Sequence, residues 1–181
     1  SNSVTVIDGA SNAIITTIPV GNDPYGLAYN QTNNKVYCAN IFGDSVSVID
    51  GATNSVITTI PVNHPTVLTY NPTNNKIYCV NENNASVTVI DGASNAVVTT
   101  VAVGSYPNAL VYNSVNNKIY CSAWSDSVTV IDGATNNVIT NLLVKDGPQS
   151  LAYNSTNNKI YCANGYSDNV TVIDGATNSV I

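Results

Sequence analysis

The phrase Val-Thr-Val-Ile-Asp-Gly-Ala returns along this chain at a nearly constant interval. It stands at residues 4–10, 87–93, 128–134 and 170–176, and at 46–52 with Ser47 in place of threonine. Its aspartates, Asp8, Asp50, Asp91, Asp132 and Asp174, follow one another at steps of 42, 41, 41 and 42 residues. A period of this length specifies stacked structural units. One such unit cannot bury its own apolar surface and must lean on copies of itself.

Each unit reads as four short strands. In the copy that opens at Pro24, segments 25–29, 35–40, 46–49 and 56–60 are rich in Val, Ile, Thr and Tyr. An Asn-rich turn (30–34), a loop (42–45) and the Asp50-Gly51 turn separate them. The pattern is all-β, with no stretch of helical periodicity. Alternation along a strand sends Val46 and Val48 to one face of the sheet and Ile49 to the other. A sheet apolar on both faces needs cover on both, and radial stacking of like neighbours supplies it. The expected architecture is a β-propeller of four-stranded antiparallel blades. A parallel β-solenoid is the alternative, disfavoured by the unit length and the paired hairpin turns. The expected division is a half-blade at 1–20 and blades at 21–62, 63–103, 104–144 and 145–181, the last with its outer strand truncated, about four and a half blades in all. Both termini fall in mid-repeat. That is expected of a piece of a longer polypeptide, or of a subunit that self-associates through open blade ends.

The stretches Lys-Val-Tyr-Cys-Ala-Asn (35–40), Lys-Ile-Tyr-Cys-Val-Asn (76–81) and Lys-Ile-Tyr-Cys-Ala-Asn (159–164), with the Val-Thr-Val-Ile-Asp-Gly segments that follow, resemble the YVTN-type β-propeller repeat. The resemblance spans essentially the whole chain. It implies a propeller of the kind found in bacterial and archaeal surface-layer and other cell-surface proteins. Cysteine stands where the family usually has valine. The third unit, Tyr120-Cys121-Ser122-Ala123, lacks the final Asn, which puts the capping or turn bond made there in question.

Charged residues make up only 9% of the chain, against about 25% in a typical soluble domain, and Asn, Thr and Ser take their place. That balance suits an extracellular or cell-surface location. The net charge of −6 opposes nucleic-acid binding, which needs basic patches. No apolar run approaches the ~20 residues of a membrane-spanning helix, so no membrane insertion is expected. Cys38, Cys79, Cys121 and Cys162 occupy the same place in successive units. Equivalent places in packed sheets lie ~10 Å apart, beyond the ~7 Å that a disulfide spans. Buried free thiols are expected. No second Cys or His sits at ligand spacing, so neither a metal nor a cofactor is expected.

In an up-and-down blade the loops alternate between two faces. The first-to-second and third-to-fourth turns are monotonous, and the second-to-third loops and blade-to-blade crossovers vary. The only Phe, Trp, His and Glu of the chain all fall on the variable face. Formal charge divides as −5 on the variable face and −1 on the uniform one, within the total of −6. Candidate partner-binding residues are Tyr25, Phe42, His64, Glu82, Tyr106, Trp124 and Tyr166, and this acidic, aromatic rim suits a protein or carbohydrate partner or a loosely held cation. Drift on an idle surface is the competing explanation. Each Asp-Gly turn offers a single carboxylate where Ca²⁺ takes several oxygens, so any calcium binding there is expected to be weak. A lone histidine and scattered carboxylates do not compose a hydrolytic or redox centre, so no enzyme is expected. The expected function is a non-catalytic binding or adhesion scaffold at the cell surface. The alternative is a self-assembling subunit of a surface layer or filament.

Overall fold

The computed structural model describes residues 1–181 and is built of eighteen strands. β1 (Ser3–Ile7) and β2 (Ile14–Pro19) form a lone antiparallel hairpin. Four sheets of four strands follow. The first contains β3 (Pro24–Asn30), β4 (Lys35–Asn40), β5 (Ser45–Asp50) and β6 (Ser55–Pro61). The second contains β7 (Pro65–Asn71), β8 (Lys76–Asn81), β9 (Ser86–Asp91) and β10 (Val97–Ala102). The third contains β11 (Pro107–Asn113), β12 (Lys118–Ala123), β13 (Ser127–Asp132) and β14 (Val138–Leu143). The fourth contains β15 (Pro148–Asn154), β16 (Lys159–Asn164), β17 (Asn169–Asp174) and the short β18 (Ser179–Val180). Strands pair antiparallel in chain order within every sheet. The chain is therefore an all-β tandem array of antiparallel blades, an open arc of the propeller type. No helix is long and apolar enough to cross a membrane.

The turns follow from their side chains. Nine asparagines, among them Asn34, Asn54, Asn75 and Asn95, hold left-handed backbone with φ between 51° and 62°. Asn tolerates that region because its short amide bonds locally. In the Asp-Gly turns the aspartate folds back on the chain. Asp50 Oδ1 accepts the Thr53 N–H at 2.7 Å and the Ala52 N–H at 2.9 Å. The Thr53 bonds, then the Ala52 bond, hold this carboxyl below its ordinary range. Asp8, Asp91, Asp132 and Asp174 are held down in the same way. These oxygens are occupied by the turn itself.

Blades pack face to face, and the core lies between them. Val46, Val48 and Ile60 of the first sheet meet Leu68, Ile77 and Cys79 of the second. Tyr78, Val87 and Val89 then meet Ile119, Cys121 and Ile131 of the third. Tyr120, Val128 and Val130 meet Ile160, Cys162 and Ile173 of the fourth. Each such aliphatic side chain contributes about 1.5–3 kcal/mol by leaving water. The four thiols are free and buried. Burial pushes Cys38 and Cys162 up to about 11 and Cys121 to about 12.

A polar clasp joins neighbouring blades on the uniform face. Lys35 Nζ donates to the carbonyls of Gly92 and Ala93 and to Asn95 Oδ1, each at 3.0 Å. The Tyr37 hydroxyl donates to Asn95 Oδ1 at 2.8 Å. Lys76 and Tyr78 clasp the turn at Gly133 and Asn136, and Lys118 and Tyr120 the turn at Gly175 and Asn178. The first three Lys-x-Tyr pairs thus reach the Asp-Gly turn of the next blade.

The second strand ends in a buried amide. Asn81 Nδ2 donates to Ser86 Oγ at 2.9 Å and Thr88 Oγ1 at 2.8 Å, and Asn40 and Asn164 repeat the arrangement. Ala123 takes this place in the third unit and the bond is missing there. Thr129 Oγ1 turns instead to Asn141 Oδ1, at 2.7 Å.

The two ends of the arc are open. Val170 is 57% exposed, whereas its counterparts Val46, Val87 and Val128 are wholly buried. At the other end the hairpin covers only the outer half of the first blade. Leu27 is 54% exposed, against 8% for Leu68.

Candidate binding cleft on the variable face

Two positions per unit build the inner rim of the variable face. One is the residue after the proline that opens the first strand: Tyr25, Thr66, Asn108 and Gln149. The other is the residue after the second strand: Ile41, Glu82, Trp124 and Gly165. The framework beside them is nearly constant. Pro24, Pro65, Pro107 and Pro148 precede the first position, and Asn40, Asn81, Ala123 and Asn164 the second. The chain therefore holds one backbone and changes the chemistry displayed at these rim positions, as it does at the residue before each proline.

Three blades bring these positions together. Tyr25, Thr66 and Asn108, with Ile41, Glu82 and Trp124, line a cleft of about 190 Å³. An adjoining recess of about 290 Å³ is lined by Glu82, Asn83, Ser105 and Tyr106, so Glu82 is common to both. Behind it, His64 Nδ1 lies 4.0 Å from Glu82 Oε2. Phe42 meets the His64 ring edge-on, with centroids 5.9 Å apart. Asn108 is a fixed wall, because its Nδ2 donates to the Pro148 carbonyl at 2.6 Å and its Oδ1 accepts from Ser122 at 2.7 Å. Two buried polar atoms here have no partner, His64 Nδ1 and Thr66 Oγ1.

The backbone of the crossovers is strained in a repeating way. Asp23, His64, Tyr106 and Gly147, each immediately before a proline, have φ of 57°, 44°, 54° and 67°. Only the fourth unit fills this left-handed position with glycine. Holding a non-glycine residue there costs about 1–3 kcal/mol, and such strain collects at functional sites. His64 and Tyr106 are bulky side chains kept where glycine would be easier.

Six of the seven residues singled out from the sequence fall in this region. Tyr25, Glu82 and Trp124 line the cleft and Tyr106 the recess, and His64 and Phe42 stand behind them. Tyr166 belongs to the fourth unit and lies outside both, against Gly147, where any Cβ would strike its ring. Thr66, Asn108 and Ile41 are lining residues that loop composition did not single out. Aligning the units on the constant proline and on the Lys-x-Tyr-Cys strand would have found them. No three His, Cys, Asp or Glu side chains come together as a metal group.

No family model matches the chain, and no curated protein does. Solved structures do. Hydrazine synthase of Kuenenia stuttgartiensis superposes with a TM-score of 0.80 at 19% identity, over 97% of this chain and 51% of that one. A functionally unknown protein from Desulfotomaculum acetoxidans superposes with a TM-score of 0.84 at 10% identity, over 99% of this chain and 62% of that one. The chain spans about half to three-fifths of the length of these neighbours. At such identities the likeness is one of fold alone.

Proposed function

We propose that this chain is a non-catalytic, YVTN-type propeller segment of a prokaryotic cell surface that binds a protein or carbohydrate partner through its variable face. One observation carries the proposal. Two positions that differ in all four units converge on one cleft, under exposed Tyr25 and Trp124. Exposed aromatic side chains at the mouth of a concave site are the kind of anchor that interfaces use. The low charge content and polar uncharged surface support the extracellular location. Aromatic anchors at an interface commonly cost 2 kcal/mol or more when truncated, roughly a thirtyfold loss of affinity. The test is a printed panel of glycans and peptides probed with wild type, Trp124→Ala and Tyr106→Ala. The expected result is a ligand whose retention drops at least about tenfold in both variants while their unfolding midpoints stay at wild type. Retention that ignores both substitutions would sink the proposal.

A second reading, self-association, is favoured by the open ends. Within residues 1–181, Lys159 and Tyr161 clasp no Asp-Gly turn, and the turn at Gly51 and Asn54 receives no lysine or tyrosine. With the exposed Val170 and Leu27, these are the two unmatched halves of the joint made three times inside the array. A second copy would complete both. Light scattering on the 181-residue chain is expected to give a dimer or a polymer. A stable monomer rules this reading out.

A further inference from the structure

We propose that the cleft between Tyr25, Glu82 and Trp124 takes an organic ammonium group, a positive charge carrying apolar substituents. The inference rests on the variable-face reading and names the chemistry of its ligand.

The sign of the site comes first. Asp23, Asp44, Glu82 and Asp126 all lie on variable loops of the first three blades, and those loops carry no lysine. Lys35, Lys76 and Lys118 are spent in the clasps of the opposite face, and Lys145 and Lys159 belong to the fourth unit. An anion has no counter-charge here.

The walls come next. Trp124 is 46% exposed and Tyr25 68% exposed at the edge of a cleft floored by Val67 and Pro107. An aromatic face attracts a cation through its quadrupole, and most strongly when the cation sheds water against apolar surroundings. Glu82 supplies the only formal charge lining the cleft, and its carboxylate accepts no hydrogen bond from the chain, with only His64 Nδ1 nearby at 4.0 Å. Beside it Thr66, 5% exposed, keeps a hydroxyl without a partner.

The remaining classes fit less well. A sugar needs several directional donors and acceptors. Asn108, the amide in the wall, already bonds within the chain through both polar atoms, and the remaining polar groups, those of Tyr25, Thr66, Glu82 and Trp124, are not oriented by any bond within the chain. A calcium ion needs six to eight oxygens, and one carboxylate does not approach that. An alkylated ammonium needs one carboxylate, aromatic side chains and apolar contact, and Glu82, Tyr25, Trp124, Val67 and Pro107 line the cleft.

Trp124 is the only tryptophan, so its fluorescence reports the cleft directly. The full chain is titrated with choline chloride, with 3,3-dimethylbutan-1-ol as the uncharged isostere of choline, and with sodium chloride at matched ionic strength. The expected result is a saturable change with choline and binding of the isostere at least about tenfold weaker. Glu82→Gln is expected to weaken choline by a similar factor and leave the isostere unchanged. A capped Gly-Lys-Gly peptide distinguishes the source. Tighter binding of the peptide than of choline assigns the site to a lysine side chain, and the reverse to a free quaternary amine. Equal binding of choline and its isostere, or no saturable response to choline or peptide, overturns the ammonium assignment. A neutral glycan that saturates the Trp124 signal when choline does not also overturns it, and leaves the variable-face reading standing.

Discussion

Tyr78→Ala is expected to lower the stability of the array by about 3–5 kcal/mol, the range for emptying a buried aromatic site. Tyr78 is wholly buried between the second and third blades, among Val80, Val87, Ile119 and Cys121. Its hydroxyl also donates to Asn136 Oδ1 at 2.9 Å. Truncation therefore opens a cavity and loosens a clasp together. Domains of this size are stable by only about 5–15 kcal/mol, so the loss is a large share of the whole. Tyr78→Phe keeps the ring and removes the bond, at about 1 kcal/mol. Tyr161 is the positional control, because in this chain it is only half-buried, so Tyr161→Ala is expected to cost much less. Urea unfolding of the three variants checks the order. Equal losses for Tyr78→Ala and Tyr161→Ala would refute it.

The same tyrosines set an alkaline limit. Burial pushes the phenols of Tyr37, Tyr78 and Tyr120 up from 10.0 to about 12. The folded chain then holds protons that the unfolded chain releases. The associated stability is complete below pH 10 and is lost as pH climbs toward about 12. Tyr78→Phe is expected to make that decline shallower, which urea midpoints measured between these pH values would reveal.

Much of the architecture was legible because the repeat made each local signal appear several times. The second strand of the first unit runs over Lys35–Asn40, as alternation and the flanking Asn turns indicate. The third runs over Ser45–Asp50, one residue longer at each end than its apolar run. The loop from Phe42 hides a single 3-10 turn over Ile41–Gly43, too short to leave a periodic signal. The missing Asn at Ala123 correctly marked a lost bond, but its replacement by Thr129 and Asn141 depends on strand pairing that no local pattern encodes. The clasps were illegible for a similar reason. Lys35 and Asn95 are 60 residues apart, more than one repeat, so the bond skips a unit boundary that sequence reading treats as a limit. Lysine and asparagine at fixed places looked like ordinary solvated turn residues. The face that carries the cleft was visible in composition. The pairing of Thr66 with Glu82 and Trp124 was not, since it arises from three blades meeting at one rim.

Gly26→Val separates what the repeat permits from what this blade permits. The equivalent positions in the other units are Val67, Ala109 and Ser150, so the repeat pattern alone predicts tolerance. In the structure a Cβ at Gly26 would overlap the Thr66 carbonyl oxygen on the neighbouring inner strand, β7. A carbonyl on a paired strand cannot swing aside as a flexible side chain does, so the first two blades must part at their inner edge. Overpacking of this kind costs about 1–3 kcal/mol, occasionally more. For a chain of this length each kcal/mol lowers the melting midpoint by roughly 2–4 °C. The expected result is a midpoint several degrees below wild type, with Ser150→Val, on the open fourth blade, near wild type. The strain also falls on the site, because Tyr25 precedes Gly26 and Thr66 carries the displaced carbonyl, and both line the cleft. Trp124 fluorescence in folded Gly26→Val is therefore expected to shift as well. An unchanged midpoint would mean that the close approach of β3 to β7 is relieved without cost, and that the inner edge of the arc does not hold the cleft in shape.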